Sequence, residues 1–71
     1  MQRTRIPIKL VNRILKENGA ERVSKKAKEE LSYKLKEIAD NISKIAIRNA
    51  MHGGRKLVTK EDIREAEKIT R

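Results

Sequence analysis

A chain of 71 residues has room for one small domain, and its 19 Lys and Arg against 10 Asp and Glu give it a net charge of +9. Only 37% of the residues are hydrophobic and the chain has no Cys, which excludes disulfides, thiolate catalysis and Cys-based zinc sites and leaves little material for a core. No apolar run approaches the ~20 residues of a membrane span or forms a signal-peptide core. We therefore expect a soluble, intracellular protein without a membrane partner, which needs a second copy to complete its core.

The positive charge is concentrated in two blocks. Residues 1–16 contain five basic residues and no acid, and residues 41–60 contain five more basic residues, again without an acid. A surface that only keeps a protein soluble mixes both signs of charge. The two blocks therefore predict a polyanionic partner.

Glycines divide the chain into three predicted helices, short, long and short, because Gly19 and the pair at 53–54 are the main helix breakers. Residues 1–6 form a basic N-terminal extension. The first helix is predicted from about Pro7, which suits a first helical turn, to Asn18. Gly19 then follows as the residue that commonly ends a helix.

The second helix is predicted to begin after Ser24, which would serve as its N-cap, and to continue to about His52. It would be roughly 40 Å long, which is too long for one short chain to cover. Its apolar residues follow the straight-helix period, which disfavours a simple coiled coil. We predict that they form the core of a dimer around Leu31, Leu35, Ile38, Ile42 and Ile45.

The third helix is predicted from a motif close to a capping box, in which the Thr59 hydroxyl accepts from a free amide and Asp62 reaches back. It should continue to about Thr70. Each of the two loops ends in β-favouring residues, so the loops could pair as short strands.

Two loop sequences and the order of the three helices resemble the archaeal histones. The loop sequences are NGAERVS at 18–24 and HGGRKLVTKEDI at 52–63. The resemblance implies an all-α histone fold over residues 7–71, in an intertwined head-to-tail homodimer where the first loop of one subunit lies beside the second loop of the other. It also implies sequence-tolerant binding, bending and compaction of double-stranded DNA as a chromatin protein of the nucleoid.

The same resemblance assigns DNA contacts to individual residues. Arg13 matches an Arg that contacts the DNA backbone, and Arg22 matches one that enters the minor groove. Lys56 matches a Lys that contacts phosphate. Leu57 replaces a Thr whose hydroxyl contacts DNA in most of the family, and Leu cannot donate that hydrogen bond.

Residues around the second loop match structural positions of the family. Arg55 and Asp62 match an ion pair that braces the loop. His52 matches a residue that meets Asp62 of another dimer and joins dimers through a four-helix bundle. The apolar residues that are usual near that contact are replaced here. Three assembly states on DNA therefore stay open: separate dimers, tetramers and longer polymers. The replacements are Asn49, Glu65, Glu67 and Thr70.

Lys25 and Lys26 follow the Ser24 cap directly, where the helix dipole disfavours cations unless an anion binds. An exposed first turn is the alternative reading of the pair. A single Tyr offers no stacking platform for single strands. Duplex DNA, recognised through its backbone and groove shape, is therefore the favoured substrate.

Two further functions stay open at this point: a histone-fold dimerisation subunit of a larger regulatory complex, and RNA binding. Heterodimers with a paralogue are open as well. His52 has no second His, Cys or Ser–His–Asp arrangement beside it in the sequence. We therefore expect that the protein is not an enzyme and that it binds no cofactor, metal or small-molecule substrate.

Overall fold

The computed structural model describes residues 4–70, and these form three α-helices without a strand. The helices are α1 (Ile8–Glu17), α2 (Lys25–His52) and α3 (Lys60–Thr70). The all-α fold class and the predicted short, long, short order are confirmed, with each boundary within about one residue of its prediction. Residues 1–3 of the predicted extension lie outside the described residues.

Side chains from the preceding turn cap the starts of two helices. The Ala27 amide donates to the Ser24 hydroxyl at 3.1 Å and so begins α2. At α3 the capping box is reciprocal: the Asp62 amide donates to Thr59 Oγ1 at 3.4 Å, and the Thr59 amide donates to the Asp62 carboxylate at 2.9 Å. By contrast, α1 begins after Pro7 without a side-chain cap.

The first two helices end in the same hydrogen-bonded turn, which needs a glycine in the left-handed region. Gly19 has a φ of 98° and Gly54 a φ of 71°. The Ala20 amide donates to the Leu15 carbonyl at 3.0 Å, and the Arg55 amide donates to the Ala50 carbonyl at 2.9 Å. This is the Schellman arrangement, which satisfies carbonyls that the helix itself leaves free.

The chain divides into two compact units, Met1–Glu37 and Ile38–Arg71, and the division falls inside α2. In the first unit, Val11 of α1 and Ser32 of α2 are fully buried. The Ser32 hydroxyl donates to the Ile6 carbonyl, and the Ile6 amide donates back to the Ser32 carbonyl at 3.3 Å. These two bonds attach the segment before α1 to the first part of α2.

In the second unit the fully buried apolar side chains are alanines, Ala46 and Ala50 of α2 and Ala66 of α3. Small residues at these positions allow the two helix backbones to approach closely. They also bury little apolar surface, which is the main source of folding free energy.

Large apolar side chains remain exposed on the described chain. Among the predicted dimer-core residues, Ile38 is 52% exposed, and the other four are only half-buried. Monomeric proteins seldom leave so many large apolar side chains in water. The single chain therefore lacks a complete core, as the sequence predicted. The other exposed large apolar residues are Leu10, Ile14, Ile47, Met51, Leu57, Ile63 and Ile69.

Candidate nucleic-acid interface

In the first unit, Arg13 lies on the exposed face of α1, one turn from Glu17. Its Nε donates to Glu17 Oε1 at 3.0 Å, and both side chains are largely exposed. An exposed pair at this spacing contributes little stability and gives way readily to a stronger anion. The Arg13 guanidinium is therefore accessible to a phosphate.

Arg22 lies exposed in the loop between α1 and α2, directly after backbone that side chains at the end of α1 hold. The Lys16 ammonium donates to the Glu21 carbonyl just before it, and the Asn18 side-chain amide donates to the Ile14 carbonyl at 2.8 Å. Among residues 4–70 the Arg22 guanidinium has no ion-pair partner, and the backbone before it is held in place. Ordering before binding lowers the entropic cost of inserting such a side chain into a groove.

Lys25 and Lys26 form the exposed first turn of α2, which contains no acid. The partial positive charge at a helix N-terminus destabilises neighbouring cations in the free protein. A bound phosphate would relieve that repulsion and accept hydrogen bonds from free amides of the same turn.

In the second unit, Lys56 and Leu57 lie exposed in the loop between α2 and α3. The Leu57 side chain is 72% exposed, while its carbonyl accepts from Arg55 Nη1 at 3.2 Å. Leu57 thus presents an exposed apolar side chain that has no hydrogen-bond donor. Lys56, beside it, is the loop's cation with no ion pair among residues 4–70.

The structure brings Arg55 and Asp62 together in a bidentate ion pair. Arg55 Nη1 and Nη2 donate to the two oxygens of Asp62, each at 2.9 Å. Thr59 adds two more bonds to the same carboxylate, from its amide at 2.9 Å and from its hydroxyl at 3.1 Å. The second loop is therefore tied to the start of α3 at a single side chain.

The hydrogen bonds at Asp62 shift the pKa values of both members of the pair and favour their charged forms, although burial opposes this. Asp62 is only 6% exposed. The hydrogen bonds from Arg55, and then the Thr59 amide, hold the pKa of Asp62 far below its ordinary value. The hydrogen bond with Asp62 in turn raises the pKa of Arg55. Three of the four donors bond Oδ2, whereas Oδ1 accepts from Arg55 Nη2 and keeps a further acceptor position.

A surface hollow of about 520 Å³ lies beside this pair in the second unit. His52 and Asn49 of α2 line it together with Glu61 and Glu65 of α3. Asp62 also lines the hollow but is nearly buried and bonded to Arg55, so the exposed acidic side chains there are the two glutamates. His52 is exposed at the end of α2, so its side chain is accessible from outside the chain.

The bridge between Ser32 and Ile6 is the polar feature that the sequence did not reveal. A Ser inside a long helix normally indicates a solvated position, and neither the spacing nor the charge pattern marks this one. Its hydroxyl finds a partner 26 residues away in sequence. Only the packing of the first unit identifies that contact.

Residues 4–70 offer neither a metal-binding cluster nor a membrane-spanning helix. They contain no cluster of three or more His, Asp or Glu side chains arranged to hold a metal ion. Within the same range, no helix is both long and apolar enough to cross a membrane.

Comparison with known proteins identifies similar sequences along most of the chain. A family model described as histone-like transcription factor (CBF/NF-Y) and archaeal histone matches residues 4–66. The chain is also 43% identical over 63 residues to a subunit of the archaeal histone HAN1 from Thermococcus zilligii, an alignment that covers 89% of this chain and 94% of that protein. The family match includes α1, α2 and the part of α3 that carries Asp62 and Ala66.

Proposed function

Because the chain belongs to the family of histone-like transcription factors (CBF/NF-Y) and archaeal histones, which are DNA-binding, chromosome-associated proteins that dimerise through the histone fold, we propose that it binds, bends and compacts double-stranded DNA with little regard to sequence. One observation carries the proposal: ten of the 19 Lys and Arg lie in two stretches without acids, residues 1–16 and 41–60, whereas the other nine share the rest of the chain with all ten acids. The family packages DNA without catalysing a reaction.

The binding unit that we propose is an intertwined head-to-tail homodimer. Half-buried and exposed large side chains along α2, such as Ile38 and Ile42, support it because they need a cover that one chain lacks. In this arrangement the first loop of one subunit lies beside the second loop of the other, and the two loops pair as short strands. Arg22 of one chain then lies near Lys56 of its partner chain.

The contacts that we propose divide into two kinds. Arg13, Lys56 and the pair Lys25 and Lys26 neutralise phosphates, which gives affinity without reading sequence. Arg22 enters a narrow minor groove, where it senses groove width and the ease of bending. Leu57 makes an apolar contact only, because its side chain has no donor for phosphate.

We propose only a weak contact between dimers at the hollow that His52 lines. Donors of its own chain saturate Oδ2 of Asp62 and already hold Oδ1 with one bond, so the nearly buried carboxylate offers at most one acceptor position to His52 of another dimer. In an end-to-end contact related by a two-fold axis, Glu61 and Glu65 would also lie close to the same acids of the second dimer. The complex on a duplex of about 60 base pairs, roughly six helical turns, should therefore gain mass in steps of one dimer. Cooperative loading of tetramers would contradict this.

A second candidate function is a histone-fold subunit of a regulatory complex, paired with a paralogue. The polar side chains of α3 support it, since Glu67 and Thr70 line a hollow of about 270 Å³ with Ile38 and Ile42 of the same unit. A paralogue with a complementary side chain would pair better at that place than a second copy would. Folding of the purified chain alone as a dimer would contradict an obligate paralogue.

Competition between nucleic acids tests the proposed function. Purified protein is bound to a labelled duplex of mixed sequence and challenged with unlabelled duplexes of unrelated sequence, and separately with a structured RNA. We expect the unrelated duplexes to compete about equally and the RNA to compete poorly. Stronger competition by the RNA would replace DNA packaging with RNA binding, and one strongly preferred duplex would indicate a sequence-specific regulator.

A further inference from the structure

Ser32 attaches the segment before α1 to α2, and it is not one of the proposed DNA-contacting residues. Ser32 is fully buried, and its hydroxyl donates to the Ile6 carbonyl. The Ile6 amide donates to the Ser32 carbonyl at 3.3 Å, so two bonds join one residue on each side. Inside a helix, Ser normally bonds back to its own helix or points to solvent. Here it holds a different segment.

This bridge fixes the backbone immediately around Arg5. Pro7 follows Ile6 and caps α1 with a φ of −53°, and a proline also restricts the backbone of the residue before it. Ile6 is therefore held by its hydrogen bonds and by its neighbour. The position of the Arg5 backbone is set before any ligand arrives.

The Arg5 side chain remains available on this fixed backbone. Arg5 is exposed, and no ion pair of residues 4–70 involves it. It precedes Lys9 and Arg13 at intervals of four residues, in a stretch of sequence without acids. Lys9 and Arg13 line one surface hollow of about 470 Å³ with Pro7 and Leu10. From the attached segment to Lys16 the chain thus carries cations only, and Glu17 at the end of α1 is the first acid.

The geometry points to Arg5 as a further phosphate contact for duplex DNA, and to Ser32 as the residue that positions it. This inference rests on the proposed DNA binding and extends it to a residue before the first helix. An arginine on a free chain end loses conformational entropy when it binds. The Ser32 bridge removes part of that cost in advance.

A double-mutant cycle tests both statements. Affinity for one duplex of mixed sequence is measured at several salt concentrations for the full chain, Arg5→Ala, Ser32→Ala and the double variant. Arg5→Ala should weaken binding and lower the salt slope by roughly one unit per contact, hence about two per dimer. Ser32→Ala should weaken binding roughly twofold to tenfold, and it should have no further effect once Arg5 is gone.

Two controls separate positioning from a structural role. Lys34→Ala removes one positive charge from an exposed side chain that already lies 3.9 Å from Glu37, and it should change the salt slope less than Arg5→Ala does. Ile6→Pro removes the amide that donates to Ser32 while leaving α2 intact. This variant keeps the bond from the Ser32 hydroxyl to the Ile6 carbonyl, so it should weaken binding in the same direction as Ser32→Ala without matching its size. It replaces that variant in the cycle if Ser32→Ala loses its helical circular dichroism.

Each outcome of the cycle decides one point. Equal losses from Ser32→Ala with and without Arg5 would overturn the positioning role. Unchanged binding of Arg5→Ala, with normal binding by the unmodified chain, would overturn the Arg5 contact alone. An unmodified chain that binds no duplex would overturn the proposed function, and the Arg5 assignment with it.

Discussion

At the Asp62 carboxylate, one side chain caps α3, pairs with Arg55 and fixes the second loop. Because the pKa of Asp62 is low in the folded chain, the direction in which its contribution to stability changes with pH is fixed. A carboxyl group with a depressed folded pKa stabilises the protein above its unfolded pKa, near 4, and that contribution is lost as the pH falls towards the folded value.

The contribution of Asp62 to the stability of the protein should therefore be lost in acid. At neutral pH, Asp62→Asn should lower the urea midpoint, and its difference from the unmodified chain should shrink as the pH falls below about 4. Urea unfolding between pH 7 and pH 2, at one protein concentration, measures it. Glu61→Gln is the control, because Glu61 lies exposed on the same turn. A difference that stays constant with pH would contradict the assignment.

The charged loop residues should differ in how they bind DNA. Lys56→Ala should weaken all duplexes about equally and lower the salt slope by roughly two units per dimer. Arg22→Ala should also reduce any preference for flexible or A·T-rich steps that bend easily. Affinities for a rigid and a flexible duplex, with Lys34→Ala as the charge control, measure both effects. If the two loop variants behave alike on both duplexes, their separate roles are wrong.

Among the elements, the helix ends depend on local chemistry, and each was predictable for that reason. At the helix starts, the hydroxyls of Ser24 and Thr59 accept from free amides. At the helix ends, Gly19 and Gly54 adopt the left-handed turn in which following amides donate to free carbonyls. The bridge from Ser32 to Ile6 depends on contacts distant in sequence, and so no local pattern indicated it. The exposure of Ile38 in the single chain was predictable because the apolar residues along α2 extend over a longer surface than one short chain can bury.

The turn after α2 provides a test of this local chemistry. Gly54 has a φ of 71°, and a Cβ there would meet no atom within 4 Å. The cost of Gly54→Ala should therefore be backbone strain alone, about 1 kcal/mol of unfolding free energy. Denaturant unfolding measures it. Gly54→Asn should cost less, because Asn tolerates the left-handed region; a larger loss for Asn than for Ala would contradict this explanation.

For the whole molecule, stability should depend on association. Ile42 is half-buried in the single chain, and we expect a second chain to bury it fully. Ile42→Glu would then place an unpaired charge inside the dimer and remove most of the helical signal at micromolar concentration. Ser43→Glu adds the same charge at an exposed neighbour and should stay folded. An Ile42→Glu variant that remains a folded monomer would contradict the dimer.

The dependence of duplex affinity on salt tests the central claim most directly. If Arg13 and Lys56 of both subunits meet phosphates and Arg22 of both enters the minor groove, a dimer places at least six cations on the DNA, counted from these three residues. Each of these cations displaces counterions. Affinity for DNA of arbitrary sequence should then fall ~10³-fold or more between 50 and 200 mM salt. A slope near zero, or tight binding confined to one sequence, would contradict packaging through the DNA backbone.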